Sequence, residues 1–171
     1  MGTNINRAAP QGKRVLLVAA NPSVSPTTGW PIGFWAAELF HPYWTFTEAG
    51  YAVDIVSPKG GKLAIDGYSD PRDASGYSAH EILSLGFLSS STHAALLEDT
   101  PALASVDVSR YDAAFLAGGQ SPMVTFMDDA ALHQWVARFY EAGKVLAVVC
   151  HATCVLLKTR LADGKLLVEG K

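Results

Sequence analysis

The sequence predicts an α/β fold: a mostly parallel sheet with helices on both faces. Three observations carry that expectation. The run Val15-Leu16-Leu17-Val18-Ala19-Ala20 is continuously apolar, which is how a strand buried on both faces reads. Further strand-like runs alternate with segments of helical period, the pattern of right-handed βαβ units. The 171 residues fit one domain, and 49% hydrophobic against 17% charged residues can bury a sizeable core.

Residues 1–13 are polar and read as a flexible tail ahead of a domain spanning 14–171. Val15–Ala20 is the first strand, and a loop of Asn, Ser, Pro, Thr and Gly runs from Asn21 to Gly33. Residues 34–49 read as a helix with Phe34, Ala37, Leu39, Tyr43 and Phe46 on one face and Gly50 as its stop. Pro42 predicts a kink or break near His41, because proline removes a helical N–H. Tyr51–Val56 is the second strand, ended by Ser57-Pro58-Lys59-Gly60-Gly61. In residues 62–92, Asp66, Asp70, Pro71 and Asp73 punctuate turns and Ile82–Leu85 reads as a short helix, followed by Ala94–Leu97 and Pro101–Ala104. Asp112–Ala117 is the third strand, closed by Gly118-Gly119. Asp129–Ala142 is an amphipathic helix that buries Leu132, Trp135, Val136 and Phe139. Lys144–Val149 is the fourth strand and leads into a helix from Cys150 to about Leu161; residues 165–168 read as the start of another strand.

Composition excludes several classes. A formal net charge of −3 gives no electrostatic footprint for nucleic acid or an anionic membrane. The longest apolar runs are about six residues, far short of the roughly 20 that span a bilayer. No apolar signal segment opens the chain. The two cysteines, Cys150 and Cys154, cannot make a disulfide framework, so a reducing cytoplasmic setting is expected. The five histidines lack zinc-ligand spacing, and no phosphate-binding glycine motif follows a strand, so neither a metal nor a nucleotide is expected.

In open parallel sheets, ligands bind beyond the carboxyl ends of the strands. Three segments stand there: Asn21–Glu38, the Gly118-Gly119 turn and Cys150. A cysteine at a strand-to-helix turn meets free N–H groups that favour its thiolate, although free cysteine is also a common small core residue. His151 is adjacent, and regular helix geometry turns neighbouring side chains apart unless the turn is a strained elbow. Glu38, among Trp35, Ala37, Leu39 and Phe40, either faces solvent or is a buried carboxyl that holds its proton more tightly.

Taken in order, Glu38-Leu39-Phe40-His41-Pro42-Tyr43, Glu48-Ala49-Gly50-Tyr51, Ser57-Pro58-Lys59-Gly60-Gly61, Ala117-Gly118-Gly119 and Ala147-Val148-Val149-Cys150-His151 resemble the ThiJ/PfpI superfamily, the class I glutamine-amidotransferase-like fold. The Glu-x-x-His-Pro element is similar to its heat-shock chaperone and glyoxalase III branch. The resemblance runs from about Arg14 to Lys171. It implies a flavodoxin-like three-layer sandwich, a homodimer and no cofactor. It places the nucleophile at Cys150, its histidine at His151 and the acid at Glu38. Oxyanion donors would lie at the backbone of Gly119 and His151, with Gly118 and Gln120 lining the same substrate turn. Family members often carry histidine where Gln120-Ser121-Pro122 stands here, which alters pocket polarity. They also typically continue with further strands and a helix, so a domain incomplete at its C-terminus is expected.

The activity the resemblance implies is glutathione-independent conversion of methylglyoxal to lactate, with deglycation or holdase chaperoning as further activities. A non-enzymatic stress chaperone or cysteine redox sensor, and a cysteine hydrolase or isonitrile hydratase, are the alternatives. The expected partner is a small carbonyl compound.

Overall fold

The computed structural model describes residues 12–170, so the tail assigned to residues 1–13 lies almost wholly outside the described residues. In chain order the elements are strands β1 (Arg14–Val18), β2 (Ser23–Val24) and β3 (Pro31–Ile32), helix α1 (Ala36–Glu48) and strand β4 (Ala52–Val56). Helices α2 (Ile82–Ser89) and α3 (Ser91–Ala94) follow, then strand β5 (Ala113–Leu116), helices α4 (Pro122–Thr125) and α5 (Ala130–Glu141), and strand β6 (Val145–Val148). A 3-10 helix, Cys150–Leu157, comes last.

The main sheet has the order β4-β1-β5-β6 and every pairing in it is parallel. The first strand therefore lies inside, and the order reverses between β1 and β5, the switch point where such sheets bind ligands. Side chains alternate along a strand, so β1 feeds two cores. Leu16 and Val18 pack with Leu116, Val136, Phe139 and Val155 on one face. Val15 and Leu17 pack with Leu39, Phe40, Ile55 and Phe87 on the other. These are the two interfaces of a three-layer α/β sandwich.

Helix α5 forms as its pattern predicts: Leu132, Trp135, Val136 and Phe139 are buried, and the Asp129 carboxylate caps it by accepting the Leu132 N–H at 3.0 Å. Helix α1 departs from expectation. It runs unbroken through Pro42. An internal proline costs about 3 kcal/mol, but Leu39 and Phe40 are fully buried and Phe40 stacks on Phe87 at 4.0 Å, so tertiary packing prevails.

Three other expectations need correction. The Asn21–Gly33 loop contains the small antiparallel pair β2–β3. The segment after Cys150 is a 3-10 helix that ends at Leu157, not an α-helix reaching Leu161. Ala152 N–H bonds Val149 O and the Thr153 hydroxyl takes the Cys150 carbonyl, which tightens the start; the Thr159 hydroxyl takes the Val155 carbonyl at 2.7 Å, which competes with helical pairing at the end. Residues 165–168 form no strand: Arg160 and Leu166 make a single antiparallel bridge around a turn closed by the Gly164 N–H on Leu161 O.

Candidate active site

Strand β6 delivers the chain to the site. The Val149 N–H still bonds Leu116 O, and the backbone then turns sharply. Cys150 has φ of +53°, the one non-glycine in the left-handed region among the described residues. That conformation costs an L-residue about 1–2 kcal/mol. It leaves the Cys150 side chain exposed at the carboxyl edge of the sheet. It also brings neighbouring side chains together that a regular helix would separate: the Cys150 Sγ lies 3.7 Å from His151 Nδ1.

Glu38 reaches the same point from the first turn of α1. Its Oε2 accepts the Gly118 N–H at 2.8 Å, and its carboxyl stands beside Cys150, the two flanking the same glycine. Burial raises its pKa above the ordinary carboxyl value, an effect opposed by Cys150, by the Gly118 hydrogen bond and by His151, and reinforced by Asp66. Glu38 is therefore the half-buried acid rather than a solvent-facing helix position.

The glycine turn makes this approach possible. A Cβ on Gly118 would sit 2.5 Å from Glu38 Oε2 and 2.6 Å from the Cys150 Cβ. Gly119 has φ of +103°, and a Cβ there would lie 2.5 Å from Trp35 N. The three turn residues are not equivalent as donors. The Gly118 N–H belongs to Glu38, and the Gln120 N–H goes to Asp66 Oδ2 at 2.6 Å. Neither N–H is free to meet a ligand, so of the turn's backbone donors only the Gly119 N–H remains open. Among the described residues no acceptor takes the N–H of Gly119 or of His151. The Gln120 side chain stands exposed at the rim.

Other groups fix the frame. Trp35 N–H donates to Gly118 O, and the Ser121 hydroxyl donates to Asn21 O, so the three expected segments do converge. His41, one turn beyond Glu38, pairs with Glu81 at 2.8 Å. Cys154 is buried with its thiol toward Pro122 O at 3.4 Å, and burial pushes its pKa up, as a core cysteine requires.

Asp66 is the residue that sequence reasoning missed. It is 2% exposed, and its two oxygens accept the N–H groups of Gly33 and Gln120. Its one signal was position: an acid directly after the apolar Leu63–Ile65 stretch, where a simple turn residue needs no burial. Ser69 works beside it, accepting the Ala36 N–H at the start of α1 and donating to Asp66 O. Among the described residues no three His, Cys, Asp or Glu side chains are placed to hold a metal ion, and no helix is long and apolar enough to cross a membrane.

The chain is 27% identical over 186 aligned positions to a probable glutathione-independent glyoxalase of Schizosaccharomyces pombe, covering 95% of this chain and 71% of that protein. It is 28% identical over 162 positions to a glutathione-independent glyoxalase of Saccharomyces cerevisiae, covering 93% of this chain and 66% of that one. Among solved structures, Rapid Encystment Protein 24 KDa of Francisella tularensis superposes with a TM-score of 0.79 at 26% identity, over 91% of this chain and 66% of that chain. Glyoxalase III from Candida albicans shares the fold, with a TM-score of 0.72 at 21% identity over 92% and 65%. The chain thus spans about two thirds of the length of most of these relatives. The model of the DJ-1/PfpI family matches residues 32–168, which takes in Glu38, the glycine turn and Cys150-His151, and the chain belongs to that family.

Proposed function

We propose that this protein is a glutathione-independent, glyoxalase III-like enzyme that converts methylglyoxal to lactate through Cys150. One observation carries the reading: an exposed cysteine in a left-handed strand-to-helix turn, beside a half-buried glutamic acid and a histidine. The glyoxalase relatives support the choice of reaction.

The Cys150 thiol gives its proton to Glu38 and its sulfur attacks the aldehyde carbon, forming a hemithioacetal. A base removes the proton from that carbon, giving an enediol, and a proton returns to the neighbouring carbon. The product is a lactoyl thioester on Cys150. Water then adds to the thioester, lactate leaves and the thiol is restored. The sum is methylglyoxal plus one water to lactic acid, with no external oxidant or reductant. Buried acids suit such shuttling because burial brings their pKa toward working pH. The free N–H groups of Gly119 and His151 are the donors for the oxygen that gains charge; in other enzymes one such donor contributes about 2.7–4 kcal/mol.

The test is lactate formation from methylglyoxal without glutathione. Cys150→Ala is expected to abolish it. A Cys150→Ala protein that retains turnover removes the mechanism.

A further inference from the structure

Among the described residues no carboxylate lies within hydrogen-bond distance of the His151 ring, yet the ring is held. His151 Nδ1 lies 3.1 Å from the Gly119 carbonyl oxygen. A carbonyl can only accept, so Nδ1 must carry the proton. Nδ1 is then unavailable to take the Cys150 proton, and Nε2 is left as the basic nitrogen.

The Gly119 carbonyl and the Gln120 N–H belong to one peptide group. The opposite end of that group donates to Asp66 Oδ2 at 2.6 Å. We propose that Asp66 acts on His151 as a positioning residue through the Gly119–Gln120 peptide. The line runs from the Asp66 carboxylate to the Gln120 N–H, across the planar amide, and from the Gly119 oxygen to His151 Nδ1–H. A charged acceptor at the N–H polarises the amide and makes its oxygen a stronger acceptor. Asp66 is well placed for this. It is 2% exposed, and its other oxygen is pinned by the Gly33 N–H at 2.9 Å, so it cannot swing away. The arrangement fixes one tautomer, leaves Nε2 as the base for the carbon-bound proton, and assigns the thiol proton to Glu38.

The inference rests on the reading of His151 as a base. Its test uses no substrate, so inactivity toward methylglyoxal and failure of the relay are separate results. Nitrogen and carbon shifts of labelled wild-type protein report the tautomer of neutral His151. The expected result is Nδ1–H; an Nε2–H ring overturns the proposal. The Gln120 amide signal is expected to move with the same midpoint as the His151 ring as pH is varied. Glu38 and Cys150 also face the ring, so the titration is repeated in Glu38→Gln and Cys150→Ser, where the shared midpoint must persist. A Gln120 amide that stays silent while the ring titrates overturns the relay. In Asp66→Asn, loss of the Nδ1–H preference and of the amide response is expected. A folded Asp66→Asn protein with an unchanged tautomer shows that Asp66 only braces the loop. Should that variant not fold, the two wild-type measurements decide.

Discussion

Gly118→Ala puts the geometry of the site to its hardest test. The added methyl would lie 2.5 Å from Glu38 Oε2, 2.6 Å from the Cys150 Cβ and 2.9 Å from Val149 O. Two of these neighbours are backbone or the first side-chain atom and cannot swing aside, so the Glu38 carboxyl must move. Overpacking of this kind costs about 1–3 kcal/mol. Displacing Oε2 also breaks its bond to the Gly118 N–H, and a hydrogen bond to a charged group contributes about 1.5–3 kcal/mol. Partial relaxation leaves an expected loss of about 3 kcal/mol, which for a domain of this size lowers Tm by about 6–12 °C. Thermal melting and the rate of Cys150 alkylation by iodoacetamide read the two consequences together. Gly86→Ala is the control. Gly86 sits inside α2 with nothing within 4 Å of a new Cβ, so the same change there should stabilise by about 0.5–1 kcal/mol. A Gly118→Ala protein that melts with wild type and alkylates at its rate would refute the account of how Glu38 meets the thiol.

Glu38→Gln separates stability from chemistry. Burial raises the Glu38 pKa, so as pH climbs the unfolded chain ionises this carboxyl before the folded one does. Its contribution is full below the ordinary value of 4.5 and is lost as pH rises through the raised folded-state value. Glu38→Gln should therefore be more stable than wild type at pH 7.5, with the gain vanishing near pH 4, while lactate formation falls by about 10²-fold or more. Urea midpoints at the two pH values and a lactate assay check it; a gain that grows toward acid reverses the sign and the argument. Thiol titration should find one fast-reacting group in the native protein, Cys150, and a second, Cys154, only in denaturant. Two fast thiols would contradict the burial of Cys154.

Much of the layout was legible in the chain because its signals are local. Val15–Ala20 read as a doubly buried strand, the Leu132, Trp135, Val136 and Phe139 stripe announced α5, and Cys150 stood where a core strand ends. What escaped depends on distant partners. Asp66 reads as turn punctuation until Gly33 and Gln120, which lie 33 and 54 residues away, close on it. Pro42 read as a helix breaker because the stacking of Phe40 on Phe87 is invisible in a window around the proline. That the Gly118 and Gln120 N–H groups are already taken was not legible, because the Glu38 and Asp66 carboxyls that take them lie 80 and 54 residues away. His151 looked averted from Cys150 because regular helix rules do not anticipate a left-handed cysteine.

The Gly118-Gly119 floor limits how this pocket can diverge. Its surface there is main chain; a side chain added at Gly118 collides with Glu38 and Cys150, and one at Gly119 with the backbone of residues 33–35. Retargeting toward larger or more polar compounds must then fall to residues beside the turn, such as Trp35, whose N–H holds Gly118 O, and exposed Gln120. Variant libraries restricted to those residues should yield altered selectivity, whereas libraries at the floor should yield dead protein; active floor variants in comparable number would show the pocket to be more plastic than its packing allows.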